Sequence, residues 1–245
     1  MNVGLQVQRP GVPQDGPLTP ALQAMAATKP DGGSISMVGA ELAGLIEPLT
    51  IRVAFLPTGG SGATPWRNWL VLDTSYRGPG QASAPARVGL VAHELTHVLQ
   101  RELRDPEFWP DGTLRPSRSR RWLGDSTNYM EVLAYVIGAS VELDLLEAKG
   151  MRVDQRLLDD LATFAAEDAA NAARYVVKRF PTNATYRKNE REEATVPDQR
   201  IPAGGWSHWL QRLGYSATVV QRIQEQAARG NPQRAEPEPG RPLPG

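Results

Sequence analysis

His93-Glu94-Leu95-Thr96-His97 restricts the fold more than any other stretch of this chain, because its chemistry works only on a helix. A helical turn puts the two imidazoles on one face, with the Glu94 carboxylate turned about 100° away from that face. Such a pair can hold a divalent metal ion, zinc above all, and the adjacent carboxylate can take a proton from water at that metal. The same spacing also fits a polar helix face that binds nothing. The chain has only three histidines, and two of them fall here.

The surroundings of the motif predict a long, half-buried helix. Val88, Val91, Leu95, Val98 and Leu99 recur at helical spacing, Ser83 can cap the start with Pro85 in the first turn, and the pattern runs to about Arg104. Two β-like segments precede it. In 49–56 Ile51, Val53 and Phe55 alternate, and in 69–76 Leu70, Val71 and Leu72 form a short apolar run; the Gly-rich stretch 58–65 between them reads as a loop. Before these strands, Val38, Leu42, Leu45 and Ile46 mark a helix that Pro48 ends.

Helices dominate the remainder. A loop is expected over 105–119, a long apolar helix over 128–148 with Gly150 at its C-cap, and one helix over 153–180 stopped by Pro181. The polar segment 182–205 reads as a long surface loop or lid. Trp206, Trp209, Leu210 and Leu213 trace a short amphipathic helix, and Ser216 opens another that ends at Gly230. Residues 1–33 and 231–245, rich in Pro, Gly and polar side chains, are expected to be flexible tails flanking a folded unit over 34–230. The layout is α+β, with the β content on the N-terminal side of the motif helix and a helical C-terminal lobe.

Composition narrows the chemistry. With no cysteine, disulfides, thiol nucleophiles and thiolate zinc sites are excluded, leaving His, Asp and Glu as ligands. Lys+Arg and Asp+Glu are balanced at 27 each, so no broad charged surface points to nucleic acid or an anionic membrane. A peptide, protein or small-molecule substrate is the expectation. Neither a signal-like N-terminus nor a long uncharged apolar run stands out, which makes the cytoplasm the default location, although export without a classical signal would leave the same pattern.

A catalytic zinc keeps three protein ligands, so a third must come from beyond the motif. Glu131 is the leading candidate, because an acidic residue beside the apolar run from Val132 to Ala139 is costly unless it is paired or bound to a cation. Asn128-x-x-Glu131 equally fits a capping box, which would turn the carboxylate back to the backbone. Asp125 reads as a loop residue or a partner to a ligand histidine, and Glu142 with Asp144 as solvent-facing. Tyr135, one turn after Glu131, can be a hydrogen-bond donor to developing negative charge or a core tyrosine, while His208 falls on the polar side of its helix.

His93 to Gln100 (HELTHVLQ), followed on the next long helix by Glu131-Val132-Leu133-Ala134-Tyr135-Val136, resembles the gluzincin branch of zinc metallopeptidases, in particular the peptidase MA-like group. That group pairs such a helix with a Glu-x-x-Ala pattern, often just after a Trp-Leu pair. Here Trp122-Leu123 is present, but Gly124 to Met130 intervenes and Val132 stands where glycine is usual. The resemblance implies a zincin fold: a small mixed sheet packed on the motif helix, and a helical lobe carrying the third ligand. It also implies zinc on His93, His97 and Glu131, with Glu94 as the base in peptide-bond hydrolysis. An edge strand could then pair with an extended peptide, and 69–76 is the expected edge. A zincin-like binding module without turnover, or hydrolysis of a non-peptide substrate, is the alternative.

Overall fold

The computed structural model describes residues 6–8, 16–59, 62–66, 68–77, 83–103, 128–166, 169–184, 186–187 and 205–230. The expectations for 105–119, Trp122-Leu123, Asp125, most of the loop 182–205 and the tail 231–245 lie outside these residues. The described chain is a mixed α+β structure, mostly helical. In order it forms β1 (Gln6–Gln8), α1 (Thr19–Met25), α2 (Met37–Ile46), β2 (Ile51–Leu56), β3 (Gly62–Trp66), β4 (Trp69–Asp73), a 3-10 turn (Thr74–Arg77) and α3 (Pro85–Leu103). Then follow α4 (Asn128–Ala148), α5 (Gln155–Phe164), α6 (Ala169–Arg179), α7 (Gly205–Arg212) and α8 (Ala217–Ala227).

The sheet runs in the order β1-β2-β4-β3. β2 and β4 are parallel, pairing Val53 with Leu70 and Phe55 with Leu72, and the two outer strands are antiparallel to their neighbours. Ile51, Val53, Phe55, Leu70 and Leu72 are buried, so the alternation of β2 places its apolar set in the core. Two sequence expectations are corrected here. Part of the expected loop 58–65 is strand, because hairpin pairing with β4 supplies the backbone partners that its Gly/Pro composition does not advertise. Pro65 is accommodated at a register irregularity between Ala63 and Trp66, where an edge strand tolerates a missing N–H. As a result β4, expected within 69–76 as the edge, is an interior strand, and the edge beside it is β3, with β1 at the opposite edge.

The expected tail 1–33 is also corrected in part. Gln6–Gln8 pairs with β2, and α1 buries Leu18, Ala21 and Met25. A Cβ on Gly39 would stand 3.1 Å from Met25 Cβ, so α1 lies directly on α2. A seven-residue helix with three apolar contacts has too little periodicity to read from sequence, and it is held by packing. At the other end, 153–180 is two helices rather than one. α5 ends at Ala165, and α6 folds back so that Tyr175 Oη (2.9 Å) and Arg179 Nε (3.2 Å) both donate to Asp160 Oδ1. The continuous apolar stripe is real, but it comes from two helices sharing one core.

Helix α3 begins at Pro85, one residue later than a Ser83 cap would place it, with the Ala84 carbonyl accepting from Val88 N–H at 2.9 Å. α4 spans Asn128–Ala148 as predicted, and Gly150 closes it at φ +62°, a conformation that costs glycine little. Asp144, expected to face solvent, is buried against α8, where it accepts from Arg222 Nη2 at 2.7 Å and Gln226 Nε2 at 2.8 Å. Among the described residues no helix is long and apolar enough to cross a membrane.

The α3/α4 crossing positions the motif. Gly89 and Gly138 face each other there: a Cβ on Gly138 would stand 2.7 Å from Gly89 O and 3.1 Å from His93 Cβ. Alanine in a helix interior ordinarily stabilises by about 1 kcal/mol over glycine. Here the backbone of α3 blocks it, and forcing an extra carbon into a packed crossing costs about 1–3 kcal/mol. Gly138→Ala is therefore expected to lower the melting temperature, against the helix-propensity trend; a rise in thermal denaturation would show that the crossing yields freely.

Candidate metal centre

The three side chains singled out in the sequence meet at one point. His97 Nε2 lies 3.2 Å from His93 Nε2, and Glu131 Oε2 lies 3.4 Å from the first imidazole's partner, His93 Nε2, and 3.3 Å from His97 Nε2. A tetrahedral ion with ligands at about 2.0–2.1 Å spaces their atoms about 3.3–3.4 Å apart. The donor triangle has that dimension. All three residues are buried, and together they form a group that could hold a metal ion.

Local sequence explains the convergence. The i,i+4 spacing on α3 stacks the imidazoles, whose rings meet edge to face at 4.8 Å. α4 brings Glu131 in from the opposite side, with its Oε2 toward both imidazoles, the orientation that ligation requires. Asn128, the other half of the expected capping box, donates its amide to Tyr186 O at 3.2 Å. Burial alone would raise the pKa of Glu131, but the adjacent His97 and His93 rings outweigh it and hold the carboxyl well below the usual range.

Glu94 is buried at the sheet side of α3. Gly62 of β3 rests on it: a Cβ there would come within 2.9 Å of Glu94 Cγ. The start of the edge strand thus covers the Glu94 side chain, one residue along α3 from His93.

Two residues that sequence reasoning missed complete the surroundings. Gln100 is fully buried and ties both helices together. Its Oε1 lies 2.9 Å from His97 Nδ1, and its Nε2 donates to Met130 O at 3.1 Å. With Gln100 Nε2 committed to a carbonyl, Oε1 is the acceptor, so His97 carries its proton on Nδ1 and presents the Nε2 lone pair to the donor triangle. The signal was available: position 100 is i+3 from His97, on the same face. The other residue is Tyr186, within the expected loop 182–205. Its Oη donates to Glu131 Oε2 at 3.2 Å, although 55 positions separate them in sequence. Burial, and then the charge of Glu131, push the Tyr186 phenol far above its ordinary pKa, so it remains a donor.

Tyr135 lies at the margin of this group. Its ring meets the His93 ring at 4.6 Å and stacks between Phe164 (5.0 Å) and Phe180 (5.1 Å), while its hydroxyl reaches Tyr186 Oη at 3.1 Å. Among the described residues the converging donors are His93, His97 and Glu131; half-buried His208 on α7 is outside that set. Compared with known proteins, the chain matches no family model, no curated protein and no solved structure.

Proposed function

We propose that this chain is a zinc-dependent hydrolase of the zincin type, and that its substrates are peptide bonds in extended protein segments. The observation that carries the reading is the buried two-nitrogen, one-oxygen donor triangle, with a second buried carboxylate, Glu94, next to His93 in sequence. His93, His97 and Glu131 would hold the ion; a donor set without thiolate, at tetrahedral spacing, suits zinc. When bound, zinc supplies Lewis acidity and brings the pKa of water close to neutral.

The chain's own residues supply the rest. Glu94 accepts the proton of the attacking water and passes it to the leaving amide nitrogen, the double duty of a general base that becomes a general acid. Gly62 packs on the Glu94 side chain and limits its freedom. Gln100 fixes the His97 tautomer, and the Tyr186 hydroxyl donates to the Glu131 carboxylate. β3 offers the main-chain groups of an edge strand, which can pair with an extended peptide and hold its backbone in register while side chains set selectivity.

Incubating the full chain with a denatured protein mixture tests the reading. Cleavage is expected with zinc and not with a chelator, and it should return when zinc is added back. Zinc binding without cleavage of any protein in the mixture would refute peptide hydrolysis and favour a binding module on the same scaffold.

A further inference from the structure

Tyr186 reaches the donor group from a segment that, among the described residues, contributes no ligand, and its backbone is held by hydrogen bonds. Its N–H donates to Asn183 Oδ1 at 3.2 Å, and its carbonyl accepts from Asn128 Nδ2, one turn before Glu131 on α4. Arg187 N–H closes the turn on Asn183 O at 3.3 Å. The phenol has one proton. With that proton on Glu131 Oε2, the contact between the two tyrosines must run the other way, so Tyr135 donates to Tyr186. The resulting chain, Tyr135 to Tyr186 to Glu131, ends on the carboxylate oxygen that faces both imidazoles.

From this arrangement we infer that Tyr186 is a positioning residue for the metal ligand Glu131, and that ion binding and docking of the Asn183–Arg187 turn are coupled. The inference rests on the metal-centre reading. A carboxylate on a helix can rotate about its last torsion, and a hydroxyl fixed from a separate segment removes that freedom before the ion arrives. Partners of this kind are worth about 10- to 100-fold in metal affinity. Coupling is reciprocal: whatever the docked turn adds to ion affinity, the ion adds to the docking of the turn.

The test uses the full chain with zinc and cobalt(II) as probes and the variants Tyr186→Phe and Tyr135→Phe. Tyr186→Phe keeps the ring against Phe180 and removes only the hydroxyl. It is expected to weaken both ions by about 10- to 100-fold in competition with a chromophoric chelator. It should also alter the visible spectrum of bound cobalt. Tyr135→Phe, one hydroxyl further out, should weaken binding less. In the wild type, saturating zinc should slow tryptic cleavage after Arg187, and Tyr186→Phe should lose that protection. Equal affinity and an identical cobalt spectrum in Tyr186→Phe would overturn the positioning role while leaving the metal centre intact. A wild type that binds neither ion would overturn both, and the two failures are thereby told apart. If Tyr186→Phe does not fold, Asn183→Ala, which removes the bond to Tyr186 N–H and is not one of the three converging donors, replaces it: unchanged zinc affinity in that variant would overturn the coupling.

Discussion

Purified His93→Ala/His97→Ala protein is expected to contain no zinc, whereas the wild type holds about one ion per chain. Two of the three donors are gone, and a single buried carboxylate leaves no tetrahedral site to fill. The thermal consequence follows from mass action: a ligand at 1,000 times its dissociation constant stabilises the native state by about 4 kcal/mol. Adding zinc should therefore raise the melting temperature of the wild type by many degrees and leave the double variant where it was. Elemental analysis and a pair of melting curves check both points. Undiminished zinc in the variant would move the site elsewhere in the chain.

Glu94→Gln separates metal binding from turnover. The amide keeps the size of the side chain, so its contact with Gly62 survives, and position 94 is not one of the three converging donors. Zinc content and the zinc-dependent melting shift are expected to match the wild type. Hydrolysis should fall by about 10²- to 10⁴-fold, the usual contribution of a positioned acid/base group. Because the loss lies in proton transfer, it should appear in kcat while KM changes little. A Glu94→Gln protein that degrades substrates at the wild-type rate would remove Glu94 from the mechanism.

The parts of this molecule that were legible in the sequence are those in which one local pattern has one structural outcome. Val88, Val91, Leu95, Val98 and Leu99 are all buried, so the stripe that announced α3 also gave its orientation. Glu131 was legible because a carboxylate beside an apolar helical run demands a partner, and the structure supplies two imidazoles and a phenol. What escaped depends on long-range pairing. β3 owes its existence to β4, and with it the identity of the sheet edge. The break between α5 and α6 is invisible because both halves face the same core, and the contacts that fold them together, from Tyr175 and Arg179 to Asp160, are polar. Tyr186 had no apolar periodicity around it, and its partners lie 55 and 51 positions away.

The facing glycines at the α3/α4 crossing bear on which ion can enter. Gly89 and Gly138 let the backbones of the two helices approach to the point where a single methyl would not fit, and the donors they carry are separated accordingly. Calcium bonds to oxygen at about 2.3–2.6 Å and collects six to eight such ligands. Donors 3.2–3.4 Å apart, two of them nitrogens, suit a small ion with short bonds better than calcium. On the proposed metal-centre reading, the choice of ion would be set partly by side chains that are absent.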